Sequence, residues 1–200
     1  MKKVVFSLLT TLISLFALAQ ESQTGYNFLR IPVSAHAGAL GGDNITLIED
    51  DPSLMFNNPA LLGSVSDKSV GLNFMTYMKG AFTASASYNK TIGERATVGV
   101  MGQFVNYGSM KEVDENNVQT GEFSAKDIAI SGALSYELTE RIVGGITAKF
   151  ITSHIAGYNS IAMGVDLGVN YYDPVREWSL SATVKNLGGQ LKAYDDNYEK

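Results

Sequence analysis

The sequence predicts an all-β fold, a transmembrane antiparallel β-barrel with a short helical plug at its N-terminal end. Apolar residues alternate with small polar ones along segments of about ten residues, the length that a tilted strand needs to cross a bilayer. Charges within these segments keep to the polar face, and aromatic residues gather near the segment ends. These three features are typical of a barrel that is apolar outside and polar inside.

The overall composition excludes several classes of function. The 200-residue chain has a net charge of −5 and only 18% charged residues, so it offers no basic surface for nucleic acid. It contains no cysteine, which excludes disulfides, thiolate metal sites and cysteine nucleophiles. Its two histidines, His36 and His154, are far apart in the sequence, and neither has a second ligand at metal-binding spacing. We therefore expect no enzyme activity, no cofactor and no metal site.

Residues 1–19 predict a cleaved signal peptide. Lys2 and Lys3 form a basic start, and Val4–Leu18 is an apolar run that is short for a membrane span. Ala17-Leu18-Ala19 is a small-residue cleavage site, so the mature chain is expected to begin at Gln20 and to be exported. An uncleaved membrane anchor is the alternative.

Residues 20–67 do not alternate and predict the plug. Three polar residues stand where helix caps are needed, each before a short helical stretch. They are Ser34 before Ala35–Leu40, which Gly41 and Gly42 end, Asp51 before Pro52, and Asn58 before Pro59-Ala60-Leu61-Leu62. Helices of this length are not stable alone, so they need a surface to pack on. The barrel lumen would provide that surface.

Residues 68–200 predict the first half of the barrel. Seven segments alternate with period two, which favours strands over helices. They are Ser69–Tyr77, Ala81–Asn89, Thr97–Tyr107, Lys126–Leu138, Ile142–Ser153, Ile161–Tyr172 and Trp178–Leu187. Ser109–Ala125 is expected to be a long acidic surface loop and His154–Ser160 a shorter one. Glu112, Asp114 and Glu115 in the long loop lack the spacing of a defined calcium site, so a solvated loop is the simpler interpretation.

The face assignments lead to the membrane prediction. The charges expected to face the lumen are Asp127, Glu137, Lys149, Asp166 and Lys185. Two belts of outward aromatics are expected, one of Tyr88, Tyr136, Tyr171 and Trp178, the other of Phe74, Phe82, Phe104 and Phe150. A soluble sheet would instead bury its apolar face and turn a charged face to water. A secreted β-sandwich or a lipocalin-like barrel is the alternative.

Three segments resemble known outer-membrane proteins. Asp50–Leu62, which contains Asn58-Pro59-Ala60, resembles a segment of the FadL-like barrels. Residues 26–42 and Val184–Lys192 are similar to the PorQ family of the type IX secretion system. The motif residues of this resemblance are Tyr26, Phe28, Pro32, Ser34, Gly41, Gly42, Asp51, Pro52, Asn58, Pro59 and Ala60.

The resemblance implies a location, partners and a function. It implies an outer-membrane protein, in contact with outer-membrane lipid, that anchors a PorZ-like surface protein in a cargo-attachment complex containing PorU and PorV. A Gram-negative bacterium of the Bacteroidetes type is the expected source. Because FadL-like barrels have about 14 strands, the chain is expected to be the N-terminal part of a longer protein. A FadL-like transporter of hydrophobic small molecules is the alternative function.

Overall fold

The computed structural model describes residues 26–78 and 80–194, without the side chain of Met78. The predicted signal peptide, the first residues of the predicted plug and residues 195–200 lie outside the described residues. Within them, seven strands form one antiparallel sheet in which each strand pairs with the next along the chain. The strands are β1 (Val70–Met78), β2 (Ala81–Ile92), β3 (Ala96–Val113), β4 (Gln119–Thr139), β5 (Ile142–Ile155), β6 (Tyr158–Asp173) and β7 (Trp178–Lys192). The prediction of seven antiparallel strands is confirmed.

Two of the predicted loops are wrong, because the strands on either side continue through them. β3 and β4 remain paired as far as Val113 and Gln119, so the expected loop Ser109–Ala125 shrinks to the turn between them. The Asp114 carboxylate closes this turn by accepting hydrogen bonds from the backbone N–H groups of Asn116 (2.9 Å) and Val118 (2.8 Å). The expected loop His154–Ser160 is likewise only a turn at Ala156 and Gly157, both with positive φ.

The N-terminal segment (residues 26–67) contains four short helices, and its three predicted caps are confirmed. They are η1 (Asn27–Arg30), α1 (Ala35–Ala39), η2 (Pro52–Phe56) and η3 (Pro59–Ser64), of which only α1 is an α-helix. Side-chain oxygens of Ser34, Asp51 and Asn58 each accept a hydrogen bond from the first turn of the following helix. α1 ends one residue earlier than predicted, before Gly41 and Gly42, whose φ angles of 98° and 97° suit glycine.

The sheet buries its polar face and exposes its apolar face. The N-terminal segment covers the polar face. Within this segment, Pro52–Leu62 are all buried. The covered side chains of the strands include Thr83, Ser85, Ser87, Asn89, Thr97, Gln103, Ser131, Ser135, Thr147 and Ser153. On the opposite face, Leu72 and Phe74 are 77% and 63% exposed. A sheet folded for water would show the reverse arrangement.

The hydrophobic core lies between the N-terminal segment and the sheet. Phe28, Leu29, Val33, Met55, Phe56 and Leu62 contribute from the segment, and Met101, Val105, Ala129, Ala133, Ile151 and Ala162 contribute from the sheet. Three of these six sheet residues are alanines, so the larger side chains of the segment fill much of the space between the two layers. The segment is thus an integral part of the packed structure.

Candidate functional site

The candidate site is the contact between the N-terminal segment and the middle of the sheet. Gly145 of β5 and Gly168 of β6 are register partners, and both lie on the covered face. A Cβ at position 145 would come within 2.4 Å of the carbonyl carbon of Pro59, and one at position 168 would come within 2.0 Å of the Asn58 Oδ1 atom. Only glycine therefore permits the Pro59–Ala60 backbone to lie directly on β5 and the Asn58 side chain to lie directly on β6.

The Asn58-Pro59-Ala60 motif has a structural explanation in this contact. The Asn58 Oδ1 atom accepts a hydrogen bond from the Ala60 N–H (3.0 Å), and its Nδ2 group donates to the Ile45 carbonyl (2.8 Å). Pro59 stands at the first position of η3, where its missing N–H costs nothing. All three motif residues are buried, so the amide of Asn58 satisfies polar groups that water cannot reach.

Two further glycines on the covered face make room for η2 and the residues around it. A Cβ at Gly71 of β1 would lie 3.3 Å from the Pro52 side chain, and one at Gly99 of β3 would lie 2.6 Å from the Met55 sulfur. Asp51 holds the start of η2, since its Oδ1 atom accepts hydrogen bonds from the Ser53 N–H (2.8 Å) and Oγ (2.6 Å). The segment thus lies close to glycines on four of the seven strands, β1, β3, β5 and β6.

A buried ion pair lies beside the same contact. Lys149 of β5 and Asp166 of β6 are 2.5 Å apart, and both side chains are completely buried. Asn186 of β7 connects them, because its N–H donates to Asp166 (2.7 Å) and its Oδ1 accepts from Lys149 (3.2 Å). The ammonium group of Lys149 also lies 4.4 Å from the centre of the Phe56 ring in η2. Removal of either partner would leave an uncompensated charge buried away from water, which is strongly destabilising.

A second lysine ties the loop before η2 to the sheet. Lys185 of β7 contacts the carboxylate of Asp43 at 2.9 Å, and its ammonium lies 5.8 Å from the centre of the Phe56 ring. Phe56 therefore lies between two ammonium groups of the sheet, and its ring face is favourable for both. The arrangement joins β5, β6 and β7 to the N-terminal segment through one aromatic ring.

The five predicted lumen-facing charges lie on the covered face, but the structure does not bring them all together. Lys149 and Lys185 lie near the Phe56 ring, and Asp166 is the partner of Lys149. Asp127 belongs to a separate cluster, where it accepts hydrogen bonds from the Tyr107 hydroxyl (2.7 Å) and from Ser153. Glu137 is half-buried at the other end of β4, where its N–H donates to the Arg95 carbonyl.

The remaining family-motif residues anchor the start of the N-terminal segment. The Tyr26 hydroxyl hydrogen-bonds the Ser160 hydroxyl of β6, and Phe28 is buried in the core. Ser34 is completely buried, and its Oγ atom accepts the Ala37 N–H at 3.0 Å. Pro32 packs against the glycines of the α1 end, since a Cβ at Gly42 would lie 3.2 Å from its ring.

The end of the N-terminal segment is held by hydrogen bonds at the turn that leads into β1. The carboxylate of Asp50 accepts bonds from the Ser66 N–H (2.7 Å) and Oγ (2.6 Å). These hydrogen bonds, that of the hydroxyl first, lower the pKa of Asp50 below its ordinary value. Asp67 accepts a bond from the Thr91 N–H at the end of β2 (2.8 Å).

Sequence reasoning missed the residues that receive the segment. Gly145, Gly168, Phe56, Asp43 and Asn186 were not predicted to meet. The available signal was a pair of glycines on adjacent strands, Gly145 and Gly168, at positions where a side chain would point to the covered face. A glycine within a strand often marks a close approach of another backbone. No feature of the sequence identifies Asn186. It reaches the ion pair because the pairing of β6 with β7 is irregular at this point, where Asn186 has a φ of 59°.

Neither a metal site nor a membrane-spanning helix is found among the described residues. Within the described part of the chain, no three His, Asp or Glu side chains are grouped closely enough to hold a metal ion. No helix in the described ranges has the length and apolar character needed to cross a membrane. The chain matches no protein-family model and none of the curated proteins.

Proposed function

We propose that this chain is the first half of an outer-membrane β-barrel whose complete form anchors a surface protein of the type IX secretion system. One observation supports the membrane location above the others: the sheet covers its polar face with its own N-terminal segment and leaves its apolar face uncovered. Apolar residues such as Leu72, Ile130 and Leu180 would then face lipid, where their exposure costs nothing. The N-terminal segment would be the plug of the barrel.

The height of the apolar face is suitable for an outer membrane. On β4 the outward apolar positions extend from Ile128 to Leu138. Ten residues of strand measure about 33 Å, or about 23 Å in height at a tilt of about 45°. That height agrees with the apolar band of about 25 Å in barrels of this kind.

Both ends of the apolar face have the features of a lipid–water boundary. At one end, Phe82 lies 5.4 Å from Phe74 and 5.8 Å from Phe104 between ring centres, and at the other Tyr171 and Trp178 lie 5.3 Å apart. At the phenylalanine end, an outward polar row extends across four strands, starting at Asn106, the register partner of Phe82. Its members are successive register partners: Asn106, Lys126, His154 and Asn159.

The open edges support closure by further strands of the same chain. β1 and β7 each pair on one side only among the described residues, and an unpaired edge in lipid costs several kcal/mol for each unsatisfied backbone group. In an antiparallel sheet of seven strands, β1 and β7 run in the same direction. A second copy related by an axis along the barrel would therefore join β7 to β1 in parallel. Additional strands in sequence would keep every pair antiparallel, as in the proposed barrel of about 14 strands.

The extensive packing of the N-terminal segment on the sheet favours an anchor over a transporter. The N-terminal segment lies on four glycines of β1, β3, β5 and β6, its Phe56 ring lies near Lys149 and Lys185, and its Asp43 pairs with Lys185 of β7. These contacts attach it to five of the seven strands. Transport of hydrophobic molecules remains the second candidate because of one cavity. It has a volume of about 480 Å³ and is lined by apolar Leu29, Ile151 and Met163 beside Arg30 and Lys185.

Deletion of the gene distinguishes the two functions. Under the anchor proposal, a PorZ-like partner and secreted cargo should be released from the cell surface into the medium, while uptake of hydrophobic solutes stays normal. Return of the wild-type gene should restore surface retention. Intact surface retention combined with lost uptake would contradict the anchor and select the transporter. Recovery of the full-length protein in the soluble periplasm would contradict the membrane location itself.

A further inference from the structure

The β3–β4 hairpin extends beyond all its neighbours as a two-stranded arm. β2 pairs with β3 only as far as Asn106, and β5 pairs with β4 only as far as Ala125. Among the described residues, 107–113 and 119–123 therefore pair only with each other, and neither outer side of this stretch has a strand beside it. The Ser124 carbonyl still accepts a hydrogen bond from the Ala156 N–H in the turn between β5 and β6 (3.2 Å). This arm (residues 107–124) begins just above the outward polar row, so in the proposed orientation it stands outside the membrane.

A β-bulge at the base of the arm directs it away from the sheet. Two residues of β3, Tyr107 and Gly108, stand opposite one residue of β4. Gly108 has a φ of +75°, and a Cβ there would lie 2.8 Å from the Gly80 carbonyl oxygen at the neighbouring hairpin tip. Its N–H bonds to the Asn106 side chain at 2.7 Å. Bulges of this kind re-aim a strand, so the projection of the arm is built into the fold.

The bulge also changes which β3 side chains face outward. Because one residue is inserted in β3, Lys111 comes to lie on the outward side beside its partner Glu122, which has the outward parity of β4, whereas the strands below carry apolar residues on this side. Met110 and Phe123 are partners on the inner side and are half-buried. The arm therefore has an apolar patch that faces over the sheet's covered side and a charged face that points outward.

The β4 side of the arm has carboxylates on both faces. Glu122 is on the outer face, where it accepts a hydrogen bond from the Ser109 hydroxyl (2.8 Å). Glu112 is on the inner face, and its Oε2 atom lies 2.9 Å from the place where a Cβ of Gly121 would be, so it extends across that glycine toward the edge. The arm as a whole has one lysine against four carboxylates, Glu112, Asp114, Glu115 and Glu122, a formal charge of −3.

A groove lies along the β4 edge of the arm. It has a volume of about 480 Å³ and lies between the arm and the turn joining β5 to β6. Glu112, Glu122 and Phe123 line one side, and His154 and Gly157 line the other. An extended chain placed in it would lie beside the unpaired side of Gln119–Phe123, which is how a peptide adds a strand to a sheet edge.

We propose that the β4 edge of this arm docks an extended, basic segment of another protein at the cell surface, which adds to the hairpin as a third strand. Because the carboxylates lie on both faces, the segment has Lys or Arg at positions of both parities, with an apolar residue beside Phe123. The inference rests on the proposed surface exposure of this end, and it names the part of the anchor that its partner would contact.

The test uses a photo-crosslinking amino acid at Thr120, on the exposed strand of the arm, in the full-length protein in living cells. The expected result is one discrete adduct whose linked peptide, identified by mass spectrometry, is basic and belongs to another surface protein. The double variant Glu112→Lys/Glu122→Lys should reduce the adduct about tenfold or more. The matched control Glu94→Lys/Glu140→Lys reverses two exposed charges in turns at the opposite end and should leave it unchanged.

Several outcomes would overturn the proposal. They are no adduct from protein that reaches the outer membrane, a neutral or acidic linked peptide, an adduct with a second copy of this chain, and an adduct indifferent to the arm charges. Failure of the proposed function is a separate result. An intact basic adduct with unchanged cargo retention after gene deletion would reject the anchor function and keep the arm. Lost retention without an adduct would reject the arm alone.

Discussion

Gly145 and Gly168 lie opposite each other on β5 and β6, and Asn58–Ala60 of the N-terminal segment lie directly on both. This relationship explains why a motif in one part of the chain is matched by two glycines more than eighty residues later. Lys149 and Asp166, on the same face of the same two strands, form a completely buried ion pair.

Alanine at Gly145 should destabilise the protein by about 1–3 kcal/mol, because the added methyl group overlaps the Pro59 backbone, which cannot move without breaking the η3 cap. Denaturant unfolding of the protein in lipid vesicles measures the loss. Gly132→Ala is the matched control, since a Cβ at that position on β4 meets nothing within 4 Å. Equal stability of the two variants would show that the segment does not lie on β5.

Methionine at Lys149 should cost about 3–5 kcal/mol, because it leaves the carboxylate of Asp166 buried without its cation. The double variant Lys149→Met/Asp166→Asn should recover much of this loss, since the asparagine is neutral and its side-chain oxygen can still accept the Asn186 N–H. A double-mutant cycle of unfolding free energies provides the measurement. Additive effects of the two substitutions would mean that the pair does not interact.

Arginine at Leu134 tests the membrane location. Leu134 is an outward residue near the middle of the apolar band, and in lipid its replacement should cost about 2–4 kcal/mol. Asn159→Arg, outward in the polar row at the phenylalanine end, should cost about 0–1 kcal/mol. The two refolded variants are compared by unfolding in vesicles. On a sheet whose exposed face meets water both arginines would be nearly neutral, so equal small losses would exclude lipid contact.

Asp50 should make stability depend on pH in the acid range. Its pKa in the folded protein is lower than in the unfolded chain, because Ser66 donates two hydrogen bonds to the ionised form. The stabilisation is therefore complete above the ordinary value of 3.8 and is lost as the pH falls through the folded pKa. Unfolding midpoints measured between neutral and acid pH should fall less steeply for Asp50→Asn than for the wild type.

Ser66→Ala is the control for this titration. It removes the hydroxyl donor, which is the larger cause of the shift, and keeps the carboxylate. The acid dependence should therefore be intermediate between those of the wild type and Asp50→Asn. An unchanged slope in both variants would assign the acid sensitivity to other carboxylates.

The local features of this protein are determined by its sequence. Alternation with period two identified all seven strands, because successive side chains of a strand must point to opposite faces. The same alternation predicts that Lys149 and Asp166 lie on one face of the sheet. Ser34, Asp51 and Asn58 were identified as caps because the hydrogen bonds of a cap reach only two or three residues along the chain.

The contacts between distant residues were decided only by the tertiary structure. Lys149 meets Asp166 because β5 and β6 pair in one register, and Asn186 joins them because the pairing of β6 with β7 is irregular at that point. The register between two strands cannot be predicted from the sequence of either strand alone. The arm was mistaken for a loop because its residues are polar, whereas a hairpin continues by backbone hydrogen bonds that any side chain permits. Periodicity thus determined the faces of this protein, while strand register, which depends on two segments at once, decided what lies on them.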